Sequence, residues 1–378
     1  MDRNPDYEER VEAAHVDAAL TPAPAAAPET LDPSPVPRQP PAAWCAQALI
    51  APAREAGPDG LVYVASSDRR AEEIGRALRR FAPELEVLVL PAWDCLPYDR
   101  ASPSRDVMGR RMAVLARLLD PAEAPRVLVT PVEALLQRVP PTRVLKSAFL
   151  RLRQGERLDR EALQAYAART GYVFDDRVDE PGEIAILGAV VDVYPAAAEA
   201  PIRLTLDEDD GIQEIKRFDP LSQRTEEPID CALLGPASEL VLEAPSEERP
   251  SGAEHRAPLT YGKMATVLEA LPAARLVFDG RADQRAADFL DQVAEAQEAR
   301  RQLAKDEPGE ILAPDSLYLT LKAYRTAIAK HAMVEASPRG PRVDPALCRR
   351  AQSGPRVLGL CQGGAGRRRQ GPPYGPAA

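Results

Sequence analysis

The chain has 378 residues, 45% of them apolar and only 5% aromatic, with a formal net charge of −10. That length suits two or three domains of ~100–200 residues each. The charge argues against a protein that grips nucleic acid over its whole surface, since that needs basic stripes that displace counterions from phosphates. Five scattered cysteines without a CxxC pair and three isolated histidines predict no zinc site and a reducing cytoplasm. No apolar run nears the ~20 residues that cross a bilayer.

Residues 1–41 are rich in Ala, Pro and acid, and predict a disordered leader. An ordered α/β pattern starts near Ala42. LVYVAS (61–66) reads as a buried strand. Asp68 reads as the N-cap of an amphipathic helix with Ile74, Leu78 and Phe81 on its apolar side. LEVLVL (85–90) is a second strand, followed by the loop PAWDCLPYDRASPS (91–104) and a helix over about 104–119. RVLVT (126–130) is a third strand. Strands that are apolar throughout and alternate with helices predict a parallel sheet covered on both faces.

The pattern changes near residue 145. AFLRLRQG alternates as a half-exposed strand does, and a short helix starts at Asp159. Several strands then follow in succession, with DEDDG as a hairpin turn between IRLTL and IQEIKRF. This predicts an α+β unit with an antiparallel sheet, ending near residue 225. The α/β style resumes after about 250, with YGKMATVLEALPAA as a helix, ARLVFDG as a short strand and 281–305 as a long charged helix. From Ser337 the chain is Arg, Gly and Pro without apolar periodicity. The part from Arg339 holds eight Arg and one Asp, about +7, which leaves about −17 on the rest.

The phosphate-loop pattern G-x-x-x-x-G-K-[ST] does not occur. The candidate regions 48–60 and 66–73 lack its second Gly and Lys, and the Gly262–Lys263 pair stands late in the chain without the hydroxyl. No catalytic residue and no cofactor are expected. Asp94 and Asp99 in the loop could be paired acids. Flanked by Pro91, Pro97, Trp93 and Tyr98 and with no histidine nearby, they read better as structural. Trp93 reads as a domain-packing anchor, and Cys95 as a small buried hydrophobe rather than a nucleophile. Arg203 and Lys216–Arg217 on predicted strands fit either a partner-binding face or ordinary solubility.

PAWDCLPYDRASPSRDVMGRRMAVLARL, VLVTPVEALLQRVPP, DEPGEIAILGAVVDVYP and RFDPLSQRTEE, in that order and spacing, resemble the N-terminal UvrB-like module of the bacterial transcription-repair coupling factor family, Mfd. The resemblance covers roughly residues 42–335. It implies a degenerate RecA-like parallel-sheet domain over 42–140 and 226–335, interrupted at 141–225 by a UvrB interaction-type α+β domain that binds UvrA. Residues 336–378 lie beyond the resemblance and read from their composition as a disordered basic tail. The resemblance also implies that the missing lysine is a family trait and that the loop 91–104, with Trp93, Asp94, Tyr98 and Asp99, is a fixed interdomain connector.

For docking UvrA the family uses an Arg-Gly step, an Arg on the next strand and an aromatic further along. Arg203 and Gly188 match; Leu187 stands in place of the first Arg and Asp207 in place of the aromatic. Each departure removes a contact worth about 1–3 kcal/mol. The expected function is a non-catalytic module of transcription-coupled nucleotide-excision repair that recruits UvrA to damaged DNA in the cytoplasm. RNA polymerase and DNA would be reached only through family regions beyond this stretch, including the ATP-driven translocase. The alternatives are a truncated or diverged paralogue that has lost UvrA, and a DNA-binding accessory acting through the basic tail.

Overall fold

The structure, a computed structural model, describes residues 40–246, 249–303 and 311–334. The expected leader and basic tail lie outside these residues, apart from Pro40 and Pro41 at the leader's end. The first lobe opens with α1 (Ala42–Ala56), a helix the sequence reading passed over. Its buried side is mostly alanine, Ala46, Ala53 and Ala56 around Leu49, so its apolar periodicity is faint. There follow β1 (Leu61–Ala65), α2 (Asp68–Phe81), β2 (Glu86–Val89), α3 (Arg105–Leu119), β3 (Arg126–Pro131), α4 (Val132–Leu136), β4 (Arg138–Val139) and α5 (Thr142–Ser147).

The cap of α2 is Ser67, whose hydroxyl accepts from the Arg70 amide at 3.3 Å. Asp68, the expected cap, is the first helical residue. Its carboxylate reaches across to accept from the Ala92 amide at 2.9 Å, tying α2 to the loop after β2. Phe81 is half exposed, because the buried stripe ends with Leu78.

The second lobe comprises β5 (Leu150–Arg153), α6 (Arg160–Thr170), β6 (Val173–Phe174), β7 (Glu183–Leu187), β8 (Val190–Val193), β9 (Ile202–Leu206), β10 (Ile212–Phe218), β11 (Thr225–Pro228) and β12 (Cys231–Leu234). Six of these form one sheet in the order β11-β10-β9-β8-β7-β6. Its pairings are antiparallel except β6 with β7, and β12 pairs antiparallel with β5. The strand pairings therefore run on past residue 225. Alternate strand residues (Ile184, Val191, Val193, Leu204 and Ile215) turn to one face. There they close a separate core with Leu163, Tyr166 and Ala167 of α6, as period-two patterning requires.

The chain then returns to the first lobe through α7 (Ala257–Tyr261), β13 (Ala265–Thr266), β14 (Arg275–Phe278), α8 (Ala282–Leu303), α9 (Pro314–Leu317) and α10 (Leu321–Ile328). The expected helix over YGKMATVLEALPAA is not formed. The backbone turns at Gly262 with φ 67°, β13 pairs with β4, and a capping box between Thr266 and Glu269 starts only one 3₁₀ turn. The parallel sheet has the order β14-β1-β3-β2. Leu61, Tyr63 and Ala65 of β1 face the α1/α2 layer, and Val62 and Val64 face the layer built by α3, α4 and α8. Burial on both sides is why these strands read as unbroken apolar runs. α3 touches the second lobe closely enough that a Cβ on Gly109 would lie 2.4 Å from the Ala196 Cβ.

Candidate docking face and interlobe loop

The sheet face opposite α6 is set by register. One row runs Ala185, Asp192, Arg203, Lys216 and Pro228 across β7 to β11, and the next runs Leu187, Val190, Thr205 and Glu214. Under the first row, Val178, Ala185, Tyr194 and Phe218 form a small buried cluster. The second row, toward the hairpin tips, is open: Leu187 is 52% exposed, and Val190, Thr205 and Glu214 are half-buried.

Arg203 is fixed on this face. Its Nε donates to Asp192 Oδ1 at 2.8 Å and its Nη2 to Oδ2 at 2.7 Å, a fork-to-fork pair between facing residues of β8 and β9. Its guanidinium lies 4.8 Å from the Phe218 ring centroid. The Asp192 carboxylate holds the Arg203 proton more firmly than usual. The sequence reading missed Asp192, although a lone acid between Val191 and Val193 in a strand is a signal for a cross-strand cation.

The other candidate residues sit at the hairpin tips. Gly188 has φ 57° in the two-residue β7–β8 turn, where glycine is needed. Asp207 accepts from the amides of Asp209 at 3.0 Å and Gly211 at 2.7 Å, so it closes the β9–β10 turn. Arg160 at the start of α6 joins both tips, donating to the Gly188 carbonyl at 2.6 Å and to Asp210 Oδ1 at 2.5 Å. Replacing Asp207 with Phe is therefore expected to remove two turn hydrogen bonds and destabilise the chain by about 1–3 kcal/mol. Urea unfolding checks this; an unchanged midpoint contradicts it.

Loop 91–104 is held from several sides. Trp93 Nε1 donates to Glu239 Oε1 at 2.7 Å, and the indole stacks on His255 at 5.5 Å. Asp94 accepts from the Ser104 amide at 3.0 Å and Asp99 from the Leu96 amide at 3.0 Å, so each carboxylate has its own backbone partner. Tyr98 takes φ 76°, and its hydroxyl donates to the Leu312 carbonyl at 3.0 Å. Arg111, fully buried in α3, donates to Glu239 Oε1 at 2.5 Å and to the Pro91 carbonyl at 2.6 Å. Glu254 accepts from Ser102 at 2.5 Å and Ser238 at 2.6 Å. The sequence reading passed over Arg111, Glu239 and Glu254. Arg111 carried a signal, since it falls on the same helical stripe as Met108, Met112 and Leu115.

A histidine does reach this loop, contrary to the expectation from sequence, because His255 comes from 160 residues away to lie with Nε2 3.7 Å from Cys95 Sγ. It cannot act as a base there. The Tyr98 amide donates to Nδ1 at 3.1 Å, so the neutral ring carries its proton on Nε2, facing the sulfur. Burial lowers the His255 pKa, and burial, with Asp94 and Asp99 adding to it, pushes the Cys95 thiol up to about 12. Alkylation near neutral pH is expected to label exposed Cys231 well before Cys95. Peptide mapping of iodoacetamide adducts over time measures this, and equal labelling rates contradict it.

Among the described residues, no group of three or more His, Cys, Asp or Glu could hold a metal ion, and no helix is long and apolar enough to cross a membrane. The molecule is thus a two-lobed α/β module: a parallel-sheet lobe interrupted by a lobe with a mostly antiparallel sheet and one half-open face. Residues 150–240 match the model of the UvrB interaction domain. The chain resembles the Mfd family, being similar to the transcription-repair-coupling factor of Escherichia coli at 37% identity over 186 residues. That match covers 49% of this chain and 16% of the relative. Similarity to the Haemophilus influenzae factor is 28% over 319 residues, covering 74% of this chain and 27% of the relative. For the Bacillus subtilis factor it is 29% over 180 residues, covering 48% and 15%. The chain thus spans a small part of the length of the curated relatives it matches.

Proposed function

We propose that this chain is a cytoplasmic, non-catalytic docking module of transcription-coupled nucleotide-excision repair, and that the half-open sheet face binds UvrA. The observation that carries the reading is the coincidence of the UvrB interaction domain match with the lobe that presents this face. Arg203, preset by Asp192, and the exposed Leu187 on the same sheet face offer a charged and an apolar anchor of the kind that dominates interfaces. The parallel-sheet lobe serves as a scaffold and hydrolyses no ATP; hydrolysis by the purified chain that is lost with Lys263→Ala would overturn that part.

The test is titration of the whole chain onto immobilised UvrA. Saturable binding that is lost with Val190→Asp, in the middle of the open row, supports the reading. A second reading, a diverged module that keeps the lobe but has lost UvrA, is favoured by Leu187 and by the turn-closing role of Asp207. In that case the wild-type chain stays silent and Leu187→Arg restores binding. Silence from both sinks the proposal.

A further inference from the structure

A cavity of about 390 Å³ lies at the carboxyl ends of β1, β2 and β3, far in function from the docking face. Crevices at this end of parallel strands are where α/β sheets seat ligands, and the volume falls in the range of small-molecule sites. Two residues of its wall have open hydrogen-bonding capacity. Glu133 is 8% exposed; its Oε1 accepts from Arg285, while its Oε2 has no partner in the protein. Gln137, one helical turn on and 1% exposed, has no partner for its Nε2. Buried polar groups in native folds are normally satisfied, so this acceptor and this donor, both on the cavity wall, define what could fill it.

The complement is a group that gives a hydrogen to Glu133 and takes one from Gln137. The rest of the wall says that it is flat and uncharged. Phe289 and Tyr318, edge to face at 5.3 Å, and Trp93 supply aromatic surface. The carboxylates of Asp68, Asp94 and Asp99 also border the cavity, and the cation among its lining residues, Arg285, is already held by Glu133. A phosphate would meet like charge. We propose that this cavity binds a neutral purine base or nucleoside, its amine donating to Glu133 and a ring nitrogen accepting from Gln137.

Calorimetric titration of the whole chain with adenosine, adenosine monophosphate and a single-stranded oligoadenylate tests this, and also separates a free nucleoside from a base carried on a strand. Adenosine is expected to bind saturably, with the monophosphate about tenfold weaker through charge repulsion and the oligonucleotide silent. Gln137→Met is expected to abolish adenosine binding with the thermal midpoint unchanged. Should that variant misfold, Asp99→Asn serves in its place, and it is expected to raise the affinity for the monophosphate. No saturable adenosine binding, binding undiminished in a folded Gln137→Met chain, or tighter binding of the phosphates would overturn the proposal. So would a crystal structure grown with adenosine in which a water alone bridges Glu133 and Gln137.

Discussion

Replacing Glu239 with alanine is expected to destabilise the chain by about 3–5 kcal/mol, the cost of leaving a buried arginine without its partner. Arg111 is fully buried and Glu239 is 2% exposed, so water cannot take over the lost contacts. The same carboxylate also receives Trp93 Nε1 at 2.7 Å. One substitution therefore loosens α3, the loop after β2 and the segment that leaves the second lobe. Urea unfolding followed by circular dichroism measures the loss, and tryptophan emission reports Trp93, since the chain's other tryptophan, Trp44, is already 44% exposed. The double variant Arg111→Met, Glu239→Leu is expected to recover most of the loss, because removing both charges leaves none unpaired. A wild-type midpoint for Glu239→Ala would show that the pair is dispensable.

The second large effect is expected at Arg203. If the sheet face binds UvrA, Arg203→Ala should weaken capture about 30-fold, near 2 kcal/mol, the scale of an interface anchor. Lysine should not rescue it, because a single ammonium cannot reproduce the two-pronged pairing with Asp192. Asp192→Ala separates positioning from contact: Arg203 keeps its charge but loses its orientation, and affinity should fall by less than with Arg203→Ala. Surface plasmon resonance on folded variants reads all three. Equal affinities across the set would remove Arg203 from the interface.

Much of the fold was legible because burial leaves its period in the residues. β1 and β3 are buried on both faces and read as unbroken apolar runs, while β9 is buried on one face and alternates. DEDDG marked the β9–β10 turn, where Asp210 takes φ 61°. What escaped has physical reasons. α1 packs through alanines, whose small side chains give little contrast. The stretch after Tyr261 has helical spacing, but Gly262 turns the backbone and β13 finds β4 from 126 residues away in the chain. The site was harder to read. The pairing of Arg203 with Asp192 depends on the register of two strands, and the approach of His255 to Cys95 on the closure of the whole lobe. Neither is written in local spacing.

The outermost strand of the second sheet also has a consequence for the molecule in solution. β11 is TEEP, exposed at every position, and ends in a proline that has no amide to offer. Two adjacent carboxylates along that rim repel an identical rim, and the proline interrupts any ladder that begins to form. Copies of the protein are therefore discouraged from pairing through this rim.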